Sequence, residues 1–114
     1  LISAAIIGFS GQLTTFKAYE SDNPCYRCFC PSEPINEIQP SCSENGVLGA
    51  CVGVIGSMQA AEAIKEILDI GSLVGKIVIY DGLNADFRKI NLKKDPNCKL
   101  CQDINVKSNM QDVA

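Results

Sequence analysis

Two short cysteine pairs, Cys25-Tyr-Arg-Cys28 and Cys98-Lys-Leu-Cys101, constrain this 114-residue chain more than any other feature. Two residues between cysteines let both sulfurs of a pair turn toward one ion, and two such turns complete a tetrahedral thiolate shell. Sixty-nine residues lie between the pairs, far more than in a compact zinc finger. A shared ion therefore clamps two distant parts of one fold instead of creating the fold of a short peptide. A full cysteine shell has no open position for water, so the site reads as structural, and zinc, with no redox chemistry of its own, suits it. Structural zinc binding contributes on the order of 10 kcal/mol and depends on pH, because the ligands must lose their protons. Free buried thiols and a rubredoxin-like iron site are the competing readings of the same pattern.

The chain holds seven cysteines. An odd count, unevenly spread, argues against a secreted disulfide framework and for metal ligands in a reducing compartment. Cys30 follows Cys28 too closely to join the shell and reads as a bystander. Cys51 falls on an apolar helical stripe and reads as core. Cys42 lies in a proline-bounded loop before a helix N-terminus, where the helix dipole and free amides favour a thiolate; a structural loop cysteine is the other reading. Histidine is absent, which removes the commonest general base and the Ser-His and Cys-His nucleophile arrangements.

The length corresponds to one domain or part of one. Hydrophobic residues make up 46% and charged residues 20%, which argues against disorder over most of the chain. The net charge of −3 does not fit a nucleic-acid binder, whose basic surface dominates its balance. Arg88, Lys89, Lys93, Lys94 and Lys99 do cluster, and read as a solvated strand face. The longest nearly apolar run, residues 47–58, carries three glycines and is too short to span a bilayer. No basic leader precedes an apolar stretch, so a cytoplasmic location is expected. The first residue is Leu1, not Met, so the start of the gene product is expected to lie upstream.

Patterning predicts a hairpin over residues 1–18 with its turn at Phe9-Ser10-Gly11, and alternation from Gln12 to Ala18. Pro31, Pro34 and Pro40 make residues 29–46 a loop. Loops of that length inside small domains are often functional, and this one is expected to be mobile. A helix is predicted over 47–68. Ser41 and Glu44 have capping-box spacing, Val47, Cys51, Val54, Met58 and Ala61 start its buried stripe, and Ala60, Ile64 and Ile67 continue it. Glu62, Lys65, Glu66 and Asp69 supply the wet face, and Gly71 the C-terminal stop. The first half is apolar all round and is expected to be buried on most sides. Gly49, Gly53, Gly56 and Ala60 form a small-residue ridge expected to pack closely on a sheet or a partner chain. Strands are predicted at 76–80 and 87–92, a turn at Asp95-Pro96-Asn97, and a disordered tail over 102–114. The glycines do not form a phosphate loop: no strand precedes them, and neither the P-loop nor the G-x-G-x-x-G pattern is present.

Several stretches, taken in order, resemble one family. They are Ser10-Gly-Gln-Leu, Pro24-Cys-Tyr-Arg-Cys28, Ser41-Cys-Ser-Glu-Asn-Gly-Val-Leu-Gly49, Gly53-Val-Ile-Gly-Ser-Met-Gln-Ala-Ala-Glu-Ala-Ile-Lys65, Gly75-Lys-Ile-Val-Ile-Tyr-Asp81 and Asp95-Pro-Asn-Cys-Lys-Leu-Cys101. Over residues 1–101 the chain is similar to the C-terminal half of the MoeB/ThiF/HesA family. These are ATP-dependent adenylyltransferases related to ubiquitin-activating enzymes. The resemblance implies an α/β fold: the distal part of a Rossmann-like domain, with antiparallel strands, one long helix and a zinc clamp. It implies activation of the C-terminal Gly-Gly of a ubiquitin-like sulfur carrier in molybdopterin or thiamine synthesis. ATP and magnesium would be bound by an N-terminal half not present in this sequence, so the chain by itself is expected to be inactive. Cys25, Cys28, Cys98 and Cys101 match the family's zinc ligands, and Cys42 matches the crossover-loop cysteine that some members link to the carrier. A homodimer contact is a further implication. The competing function is a stand-alone zinc-clamped module that binds a protein tail without chemistry. A redox protein is disfavoured, because neither cysteine pair sits at a thioredoxin-like strand-to-helix junction.

Overall fold

The computed structural model describes residues 1–20, 22–31 and 46–101. Alternating and β-branched segments give four strands: β1 (Ile2–Ile7), β2 (Ser10–Thr15), β3 (Lys76–Asp81) and β4 (Asp86–Asn91). They form one sheet in the order β1-β2-β3-β4, antiparallel throughout. A one-turn helix α1 (Tyr26–Phe29) and a long helix α2 (Gly49–Leu68) lie in the connection from β2 to β3.

The first hairpin turns earlier than its composition suggests. Ile7 pairs with Ser10, so the loop is Gly8-Phe9, and Ser10 and Gly11 already belong to β2. Gly8 sits at φ 60° with a non-glycine after it, the pattern of a type II′ turn that matches strand twist. This turn is held from both sides. Gly8 N–H donates to Gly46 O and Gly8 O accepts from Leu48 N–H, while Phe9 O accepts from Gly82 N–H. The entry to α2 and the turn after β3 thus converge on one point.

Helix α2 packs on β1 and β2. Ala4, Leu13 and Val78 share the face of the sheet that meets Leu73 and Met58, and Ala4, Ile6 and Tyr80 meet Cys51 and Ile55. Leu13 is fully buried. A side chain at Gly11 would collide with Ile55, whose Cγ1 would lie 2.7 Å from the added carbon; the glycine that admits the helix is therefore on the sheet. Gln59 Nε2 donates to Ile2 O at 2.9 Å and pins the helix to the edge strand.

Four features of the helix differ from expectation. It starts at Gly49 with Leu48 as N-cap and no side-chain cap bond, two residues later than predicted, and the expected capping pair Ser41 and Glu44 lies outside the described residues. Its end is a left-handed Asp69 at φ 53°, whose N–H reaches Lys65 O, not Gly71; a short polar side chain tolerates that conformation. Only Cys51 and Ile55 are buried, because a single sheet covers a single side. Val52, Val54, Ile64 and Ile67 are exposed, and added side chains at Gly49, Gly53 and Gly56 would meet open space. Lastly, Glu62, Lys65 and Glu66 are half-buried: Glu62 holds Lys65, and Glu66 reaches across to Lys17 beyond β2.

Strand β4 is exposed along its length, Arg88 and Lys89 included, so the basic cluster begins on a solvated strand. Asp81 closes the second hairpin by accepting from Leu83 and Asn84 N–H. No helix among the described residues is long and apolar enough to cross a membrane.

Two outcomes follow from this packing. Leu13→Ala should destabilise the chain by about 2–5 kcal/mol, read as a lower denaturant midpoint. The Glu66 carboxyl is held below its ordinary 4.5 by its hydrogen bond with Lys17 and then by Ser72, and Lys17 is held above its ordinary 10.5 by the same pair. A depressed acid stabilises above its ordinary pKa, and a raised base stabilises below its own. Glu66→Gln should therefore lower the thermal midpoint slightly at pH 7 and by less as the pH falls below 4.5, checked by melting curves across that range.

Candidate metal centre

The cluster is assembled from two turns. Cys25 is extended, at φ −96° and ψ 176°, and serves as N-cap of α1. One helical turn then brings Cys28 back, with its N–H donating to Cys25 O and Cys30 N–H donating to Tyr26 O. Phe16, buried just past β2, meets the Tyr26 ring edge-on with centroids 5.8 Å apart, which fixes α1 against the end of the sheet. The second turn is Asp95-Pro96-Asn97, as the sequence predicts. Asp95 O accepts from Cys98 N–H at 3.1 Å, and Asp95 Oδ1 accepts from Asn97 N–H at 3.0 Å.

The two turns meet. The sulfurs of Cys25, Cys28, Cys98 and Cys101 all lie within 4.8 Å of one another. Cys25 to Cys28 is 3.7 Å, Cys25 to Cys98 is 3.4 Å and Cys28 to Cys101 is 3.4 Å. Four sulfurs about 2.3 Å from one zinc would form a tetrahedron with edges of about 3.8 Å, and these three separations lie close to that spacing. Cys25, Cys98 and Cys101 are buried, with Ala18 packed against them, and Cys28 is half-buried. Asp95 N–H donates to Cys28 Sγ at 3.4 Å, an outer-shell bond of the kind that orients a thiolate ligand. Burial pushes the Cys28 thiol up, but that N–H and the neighbouring backbone and thiol donors outweigh it and bring it down to about 7. Burial holds the thiols of Cys25 and Cys101 above the usual range. The donor set, spacing and burial fit one soft or borderline metal ion, and this cluster could hold it.

The remaining cysteines fall elsewhere. Cys51 is buried against Ile55 and Tyr80 in the core, as its stripe predicts. Cys30 is half-buried and outside the cluster. Cys42, with most of the predicted loop and the predicted tail, lies outside the described residues; α2 begins seven residues after it, farther than the capping pattern suggests. Sequence reasoning missed α1 and the Asp95 bond to Cys28. A one-turn helix has no periodicity to read, and a backbone donor leaves no mark in composition.

The model of the ThiF family matches residues 1–100. The chain belongs to the ThiF family. Among curated ThiF-family relatives, a Drosophila virilis protein named adenylyltransferase and sulfurtransferase MOCS3 is 45% identical over 103 residues, covering 89% of this chain and 23% of its own length. A Thermus thermophilus sulfur carrier protein adenylyltransferase is 42% identical over 107 residues, covering 90% of this chain and 40% of its own. The chain thus spans well under half of either relative. The fold resembles that of E. coli MccB. A crystal structure of MccB with AMPCPP and MccA superposes with a TM-score of 0.66 at 17% identity, over 88% of this chain and 31% of that one. A complex with N-formylated MccA gives 0.67 at 14% identity, over 88% and 33%.

Metal analysis of the ThiF-family chain purified under reducing conditions should return about one divalent ion per chain. Cys98→Ser removes one of four ligands and should weaken retention by at least about tenfold in chelator competition.

Proposed function

We propose that this chain is the C-terminal portion of an ATP-dependent adenylyltransferase that activates the C-terminal Gly-Gly of a ubiquitin-like sulfur carrier. What carries the reading is the identity of 42–45% to two proteins named adenylyltransferases, over about nine-tenths of this chain. In the whole enzyme, a carrier carboxylate oxygen bonds to the α-phosphorus of ATP and the bond to pyrophosphate breaks. The residues that hold ATP and magnesium belong to the length of the relatives that this chain does not span. The portion of that enzyme carried here is residues 1–101, in a cytoplasmic and homodimeric protein.

Within that enzyme this chain's own part is positional. Cys25, Cys28, Cys98 and Cys101 would hold zinc, which would supply a structural cross-link and no redox chemistry. The cluster ties the segment after β4 to α1 at the end of the sheet. Cys42 is the nucleophile of this portion: its sulfur attacks the carrier's acyl-adenylate, forming a thioester and expelling AMP.

Isotope exchange between ATP and pyrophosphate, with carrier added, tests this. The 114-residue chain should give no turnover, and a full-length protein carrying it should turn over. Exchange by the short chain would place nucleotide binding within these residues and overturn the division of labour. In the full-length protein, Cys42→Ala should leave exchange intact and abolish the carrier adduct seen by mass spectrometry. An undiminished adduct would remove Cys42 from the chemistry.

A further inference from the structure

We propose that the four-sulfur cluster is also an oxidation site with a defined outcome. Peroxide converts it to two disulfides across the clamp, Cys25 to Cys98 and Cys28 to Cys101. The alternative, closure within each C-x-x-C pair, would release the two segments from each other.

Geometry favours the crossed pairing. Both crossed sulfur pairs stand at 3.4 Å, whereas Cys25 to Cys28 stands at 3.7 Å. The two crossed pairs use all four sulfurs once, so both can close together. Each links residues 73 positions apart, so the clamp persists in covalent form. A disulfide brings its sulfurs to about 2.05 Å, which each crossed pair reaches by a movement of little more than one ångström in total. Access exists on two sides. Cys28 is half-exposed. A cleft of about 480 Å³, lined by Arg27, Pro31, Asp95, Asn97, Lys99 and Leu100, reaches Cys98 of the second pair. Arg27, Asp95, Asn97 and Lys99 give the cleft polar groups beside Cys98, where a small polar oxidant can be accommodated.

The chemistry balances with hydrogen peroxide as the oxidant. One thiolate sulfur attacks the peroxide, the O–O bond breaks, and a sulfenic acid and hydroxide result. The facing thiolate attacks that sulfur and displaces its oxygen as hydroxide, and two protons from solvent convert both hydroxides to water. Each disulfide consumes one peroxide and two protons, and each peroxide is reduced to two waters. With a metal ion bound, four thiolates become two disulfides and the divalent ion is released, since a disulfide is a poor ligand. That release rests on the zinc reading above; the choice of pairing does not.

The experiment uses the full chain, its zinc content first measured, treated with hydrogen peroxide and digested without reduction for disulfide mapping. A chromophoric chelator follows zinc release in parallel. The expected result is Cys25–Cys98 and Cys28–Cys101 linkages, with one zinc released per two disulfides and reversal by a phosphine reductant. In Cys25→Ser the Cys28–Cys101 linkage should persist, which separates pairing from misfolding. Crossed linkages in a chain that held no zinc would remove the zinc reading and leave the pairing standing. Cys25–Cys28 and Cys98–Cys101 linkages, linkages through Cys30, or sulfinic and sulfonic acids without disulfides would each overturn the pairing, whatever the zinc content.

Discussion

The contact of Leu13 with Val78 organises the described structure. It joins β2 to β3 in the register Leu13↔Val78, at the centre of the sheet and beneath α2. Leu13 is fully buried because Ile2, Ala4, Met58 and Leu73 close around it and Val78. A non-polar side chain in that position removes water from both sheet and helix at once, and burial of this kind is the main favourable term in folding. The neighbouring contact of Gly11 with Ile55 sets how closely the helix can approach. Displacement of either would separate α2 from the sheet, and with it the hairpin turn that Gly46, Leu48 and Gly82 hold.

The sulfur cluster is a second centre, with little apolar material of its own. Ala18 and four cysteines make up its packing, so it lacks a core able to stabilise the terminal turn by burial alone. A small lobe of this kind is where a metal contributes most. The same scarcity explains why its geometry comes from backbone bonds: two turns, each closed by an N–H to a carbonyl, aim four sulfurs at one point.

Much of this was legible in the sequence where the signal was strong and local. The four-cysteine group Cys25, Cys28, Cys98 and Cys101 could be written down from spacing alone as a candidate metal site, and the structure brings all four sulfurs together. The strand at Ile77-Val78-Ile79-Tyr80 was legible from β-branched residues, and the returning strand from the Asp81-Gly82 turn. The buried side of α2 was not. Its sequence is apolar nearly all round, so periodicity could not choose among faces: of the predicted stripe the structure buries Cys51, but beside it Ile55, and leaves Val54 and Ile64 exposed. The first turn was misplaced by two residues because Gly8 and Gly11 are both candidates. The strand pairing, opposite Ile6 and Tyr80, and the approach of Ile55 show that Gly11 is needed inside a strand.

Sheet and clamp also share a single entropic cost. Loop-closure entropy grows with the logarithm of loop length. The Leu13↔Val78 pairing and the Cys25–Cys98 approach each close a long stretch of chain. Once the sheet has formed, however, its end lies at Thr15 on one side and Asn91 on the other. Only about ten residues then separate it from Cys25 and about seven from Cys98, so the second closure is cheaper than the first by about 1 kcal/mol. The advantage is mutual: a bound metal raises the effective concentration of β2 for β3, as the sheet does for the two cysteine pairs. Metal affinity and sheet stability are in this sense one linked quantity, and a substitution deep in the sheet, far from any sulfur, is felt at the cluster.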